Sequence, residues 1–171
     1  SASVAQVLAD TTNLDGEVGF SCGLIRQLGL TLIAWNYPHV YTRALSSLSS
    51  STKNLDVALH KILGFSPALL GIALAREWKL PTELIDIAAR HHEELDQENT
   101  LLNSVRLACR LADALGFSVL QDRSPDDFLN LMGRLPPESR SRFPETFEEL
   151  KAIVPTTIAR GAVNPAPPAK G

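Results

Sequence analysis

Apolar residues recur along this chain at intervals of three and four, the spacing that puts them on one face of an α-helix. Val4, Val7 and Leu8 open the pattern, and Asn13-Leu14-Asp15-Gly16 interrupts it as a turn. Asp15 is placed to cap the next helix, with Glu17 in its first turn and Val18, Cys22, Ile25 and Leu28 along one face. Gly19 and Gly23, four apart, would let a second backbone come close, and Gly29 is expected to break or bend the helix. The apolar run 30–35 suits a short helix or a strand by its length. Pro38 fits the first position of a helix reaching about residue 48. The serine-rich stretch 46–52 is expected to be a loop. Asn54 then caps a helix carrying Leu55, Leu59 and Ile62, stopped by Gly64.

Ser66-Pro67 pairs a cap with a first helical position, and Leu70, Ala73 and Leu74 follow on that helix. After Leu80-Pro81, a helix opened by Pro81 or Thr82 carries Leu84, Ile85, Ala88 and Ala89 and runs into His91-His92-Glu93-Glu94. Residues 96–99 are a polar loop. The strongest stripe is Leu101, Val105, Ala108, Leu111, Ala112 and Leu115, with Gly116 as its stop. Ser124-Pro125 caps a helix through about Met132, and a last helix spans 145–154. Pro165, Pro167 and Pro168 among alanines mark a flexible, extended tail. No repeat of fixed period and no alternating strand pattern interrupts this order, so the expected class is all-α.

Composition narrows the picture. The chain has 171 residues, of which 44% are hydrophobic and 20% charged. That describes one globular domain with a tail, and excludes a disordered chain. A net charge of −3 argues against a nucleic-acid binder, so no DNA partner is expected. No apolar run approaches the roughly 18 residues of a membrane span, and no charged-then-apolar leader opens the chain, so a cytoplasmic setting is expected. Cys22 and Cys109 have no CxxC spacing, and are expected to be buried thiols. The chain opens Ser1-Ala2-Ser3 and its one methionine is Met132, so it is expected to be a piece of something longer.

Candidate chemistry gathers in few places. His39 and His60 are expected on the surface. His92 shares the face of Ile85 and Ala88, and His91 lies beside that face. Adjacent histidines on a helix diverge by about 100°. Asp113 sits between Ala112 and Ala114 on an apolar helix, where a carboxylate needs a partner. An inward histidine would supply one, as a hydrogen bond or through a shared metal ion. Arg106 and Arg110, four apart, form either a solvated face or an anion site. No GxSxG, P-loop or GxGxxG motif occurs.

These residues carry a family resemblance. The run Gly64-Phe65-Ser66-Pro67, then Gly71, Leu74, Trp78 and Leu80-Pro81, resembles the "GF-x-H-x-x-x-G-x-x-L-x-x-x-W-x-LP" segment of HDOD domains. Leu84 through His91-His92 is similar to that family's "L-x-x-A-I-x-x-HH", and Leu107 through Asp113 to its "V-x-L-A-D" helix. Gly23-Leu24-Ile25-Arg26-Gln27-Leu28-Gly29 lines up with "GLLHDIG". The resemblance covers about residues 3–117.

The resemblance implies a helical bundle of the HD superfamily of metal-dependent phosphohydrolases, in bacterial signalling, where many members act as regulatory modules. It also implies a degenerate metal site. Arg26-Gln27 stands where the HD doublet would be, and Pro67 replaces a histidine, while His91, His92 and Asp113 persist. An arginine sets a fixed cation where a divalent metal would bind, and glutamine offers no anionic oxygen. If any metal bound, His91, His92 and Asp113 would be its ligands. The HHE run also resembles HD-GYP phosphodiesterases, but Leu95-Asp96-Gln97-Glu98 stands where those have "DGxGYP".

The expected layout is a partial HDOD-like core over 1–117, a helical extension over 118–155 and a tail over 156–171, the bundle being amino-terminally truncated. Apolar surface on the first helices would then be exposed, for a second copy or missing chain to cover. The expected function is a non-catalytic signalling module that binds a partner protein, a fused domain or a small nucleotide, with no cofactor and with an Arg26–Asp113 ion pair filling the old metal position. A phosphohydrolase acting on nucleotides or cyclic dinucleotides and a purely structural domain are the alternatives.

Overall fold

The computed structural model describes residues 1–48, 55–95, 100–117 and 127–162, with side chains to residue 154. Within them lie eleven α-helices and no strand. In chain order these are α1 Ala2–Thr11, α2 Gly16–Ile25, α3 Leu28–Asn36, α4 Pro38–Ser46, α5 Leu55–Leu63, α6 Pro67–Glu77, α7 Thr82–Arg90, α8 Leu101–Ala114, α9 Phe128–Met132, α10 Pro137–Arg140 and α11 Phe147–Ala162. The ambiguous run 30–35 is helical, inside α3. The chain is all-α.

Local chemistry explains the boundaries. The Asp15 carboxylate accepts the amides of Glu17 and Val18 at 2.9 and 3.0 Å, which satisfies donors that the first turn leaves without a helical partner. Ser66 accepts the amide of Ala68 at 3.2 Å, and Thr100 that of Asn103 at 3.1 Å. The Ser124-Pro125 cap, Asn54 and the loop 96–99 lie outside the described residues, and α9 begins at Phe128 after Asp127. The last helix passes through Pro155 to Ala162, so residues 156–162 are its closing turns rather than tail.

Two apolar clusters hold the helices together. One joins α1, α2, α7, α8, α9 and α11 through residues such as Leu8, Cys22, Ile87, Leu111, Leu131 and Leu150. The other joins α3, α4 and α5 through Ile33, Ala44, Leu55, Ala58 and Leu59, with Leu70 of α6 packed on it. The small faces expected of Gly19 and Gly23 are used against α1. A Cβ on Gly19 would lie 2.7 Å from Ala9 Cβ, and one on Gly23 2.7 Å from Ala2 Cα.

The break expected at Gly29 falls earlier, at Arg26-Gln27, where α2 and α3 meet at 47°. Gly29 serves a different purpose. A Cβ there would stand 1.9 Å from the Pro67 carbonyl oxygen and 2.7 Å from the Gly71 amide nitrogen, so only glycine lets α3 touch the start of α6. The bare apolar surface expected on the first helices is absent from α1, whose Val4 and Leu8 are buried beneath α2, α8 and α11. The large exposed apolar side chains lie further along, with Leu24 of α2 at 64% and Trp35 of α3 at 84% exposure. No single helix among the described residues is long and apolar enough to cross a membrane.

Gly29→Ala is expected to destabilise the fold by about 2 kcal/mol or more, because the added methyl overlaps backbone that cannot turn aside. Urea denaturation of the two proteins checks this. An unchanged midpoint would mean that α3 and α6 stand further apart than this contact requires.

Candidate functional site

The ends of five helices meet at one cleft. The α2/α3 break supplies Arg26 and Gln27, the first turn of α5 supplies Asp56, the start of α6 supplies Pro67 and Ala68, and the residue after α7 is His91. With Gly29, Leu30, Gly71 and Ala88 they line a cleft of about 30 Å³. That is room for a group of a few heavy atoms, and far below the several hundred Å³ of a pocket that encloses a drug-sized ligand. Four expected site residues, Arg26, Gln27, Pro67 and His91, therefore share one cleft.

His91 is the inward histidine and His92 the exposed one, the reverse of the expected facing. The buried stripe of α7 runs through Leu84, Ile87 and Ala88 rather than Ile85, and its next step is His91. His91 Nδ1 lies 3.1 Å from the Ile87 carbonyl, and a carbonyl only accepts, so Nδ1 carries the proton and the neutral ring leaves Nε2 bare. Burial, and after it the Arg26 guanidinium, pull the His91 pKa down to about 4. The two imidazoles meet edge to face at 5.6 Å between centroids. His39 and His60 are exposed, as expected.

Asp56 was not foreseen as a site residue. The residue as a whole is exposed, yet burial of its carboxyl at the cleft pushes the pKa above the ordinary carboxylate value, and the charge of His92 opposes that. Its sequence signal is only that of an acid in a first helical turn.

The expected Arg26–Asp113 ion pair does not form. Arg26 Nε and Nη2 donate to Ser1 Oγ at 3.0 and 2.9 Å, and no carboxylate of the described residues lies within ion-pair distance of the guanidinium. Asp113 is exposed on α8 and outside the cleft, so water solvates its carboxylate and the inward histidine is not its partner. Both charges act on the Cys109 thiol. Burial pushes its thiol up, Arg26 opposes and Asp113 adds to the rise. The Cys22 thiol is pushed up to about 11 by burial.

These residues do not fit a divalent cation. Among the described residues no three His, Cys, Asp or Glu side chains gather as a metal-binding group. Pro67 brings no ligating side chain, and a guanidinium repels a cation.

Arg106 and Arg110 are neither a solvated face nor an anion site. Arg106 is 3% exposed, donates from Nε to the Arg90 carbonyl at 3.2 Å and pairs through Nη2 with Glu93. Arg90 Nε lies 3.1 Å from the same Glu93 carboxylate, and Arg110 Nη2 is 3.0 Å from Glu94. Arg106 thus closes the carboxy end of α7, where a cation suits the helix dipole, and the two pairs fasten the HHEE segment to α8. The signal was present in two acids side by side on one segment and two arginines one turn apart on another, but it is legible only once α7 and α8 are seen to be neighbours.

The sequence model of the HDOD domain family matches residues 1–94, more than half of the chain. No curated protein and no solved structure matches.

Two predictions follow from the geometry. Between pH 6.5 and about 4 the unfolded chain holds a proton on His91 that the folded chain refuses. The stability this gives is complete above pH 6.5 and is lost towards pH 4, by up to about 3 kcal/mol. Urea midpoints across this range should fall more steeply for the native protein than for His91→Gln, and parallel curves would contradict the depressed pKa. Arg106→Met strips Glu93 and the Arg90 carbonyl of their buried donor and should cost about 1–3 kcal/mol, since Glu93 itself remains 43% exposed. Thermal or urea unfolding measures it, and a neutral substitution would show that the pair adds nothing to the fold.

Proposed function

The chain belongs to the HDOD domain family, and from that premise we propose that it is a non-catalytic regulatory module that works in the cytoplasm of a bacterial cell by binding rather than by turnover. The family makes it a signalling-associated module of the HD type. The observation that carries the non-catalytic reading is the guanidinium of Arg26 in the lining of the cleft, together with Gln27 and Pro67. Hydrolysis of a phosphodiester by metal-activated water requires a cation held by anionic and imidazole ligands. Here a fixed positive charge occupies that ground, and Asp113, the acid that would complete the set, faces solvent.

A partner protein or a fused signalling domain suits this module better than an enclosed nucleotide, because about 30 Å³ does not hold a nucleoside. A second copy of the chain is another partner of the same kind. Leu24 and Trp35 offer the apolar area that protein contacts draw upon.

Elemental analysis of protein purified without chelator should find far less than one equivalent of Mn, Fe or Zn. Turnover of cyclic dinucleotides and nucleotides with added Mn²⁺ should stay at the buffer rate. Stoichiometric metal, together with turnover that disappears in His92→Ala while the fold is kept, would replace this reading with a phosphohydrolase.

A further inference from the structure

The cleft contains a half-buried arginine that forms no ion pair with a carboxylate of the described residues. We propose that the Arg26 end of the cleft binds a small protonated oxyanion, of the class of hydrogen phosphate or the terminal phosphate of a monoester. Of the five N–H donors of the guanidinium, the bonds from Nε and Nη2 to Ser1 Oγ use two, and the rest have no acceptor among the described residues. A guanidinium is the side chain best shaped for phosphate oxygens.

The other walls agree with this occupant. Pro67 and Ala68 bring the amino end of α6 to the cleft, the end of a helix that favours negative charge. His91 lines the same space as a neutral ring with its proton on Nδ1, so its Nε2 accepts a hydrogen bond. An anion that keeps one P–O–H satisfies both neighbours, giving charge to Arg26 and a proton donor to His91. Asp56 is the opposing charge. It lines the same cleft, where burial raises its pKa and so favours the neutral carboxyl. The volume admits a group of a few heavy atoms, so a larger ligand would insert only its phosphate. The proposal rests on the cleft being free of metal.

The test is titration of the native chain with sodium phosphate at pH 7, the ionic strength held constant with sodium chloride. A saturable rise in melting temperature is expected. Binding should be weaker by about tenfold or more in Arg26→Gln and unchanged in Arg134→Gln, whose arginine is exposed and outside the cleft. In the native protein the His91 ring resonances should shift saturably while those of His39 and His60 stay still, a readout that stands even if Arg26→Gln fails to fold. Glycerol phosphate reproducing the shifts would identify the occupant as the end of a larger molecule. Phosphate alone producing them would identify a free anion. Binding that is unaffected by chelator separates this site from any metal-held phosphate, and phosphate binding abolished by chelator would overturn it. No saturable shift beyond chloride, full affinity in Arg26→Gln, or a silent His91 would each overturn it as well.

Discussion

Between Gly29 on α3 and residues 67–71 of α6 the backbones touch directly, with no side chain to separate them. This contact is what brings the α2/α3 break to the start of α6, and the cleft lies where they meet. It also links the cluster around Ile33 and Leu59 to the helix whose other side packs on α7. Dispersion between well-packed atoms falls steeply with distance, so a methyl group at Gly29 would push apart much more than one pair of residues. That Arg26, His91 and Pro67 line one cleft follows from that closeness.

Much of the fold is visible in the sequence because its signals are local. A capping carboxylate at Asp15, a Ser66-Pro67 start and a stripe at 101–115 act within one or two helical turns, and each appears where the pattern put it. The site is legible only in part, because its geometry is not local. The residues Arg26, Gln27, Pro67 and His91 could be chosen from motif spacing, yet which histidine faces inward depends on the helix phase set by Ile87, and that phase is fixed by packing against α8 and α2. Asp113 shows the opposite error. Alanine neighbours made it look buried, but alanine is at home on exposed helical faces too. Gly29 looked like a helix breaker because its role lies on a partner helix 38 residues away at Pro67.

Two arginines illustrate how the same side chain is used in opposite ways. Arg106 is almost fully buried, and its charge is balanced by Glu93 and by the carbonyl end of α7. The gain from such a pair is small once desolvation is subtracted, but its directional bonds set where the HHEE segment lies on α8. Arg26 is less buried, and among the described residues its one hydrogen-bond partner is a serine hydroxyl. The first holds structure in place, and the second leaves part of its bonding capacity unspent among the described residues.

The sulfur atoms have a consequence of their own. Nucleophilic attack and oxidation begin from the thiolate, and burial keeps both Cys22 and Cys109 protonated at neutral pH. The two are free and unpaired with each other. With both thiols held protonated, peroxide and disulfide exchange meet less thiolate in the folded state than in an unfolded chain, so folding itself slows the covalent chemistry of both sulfurs.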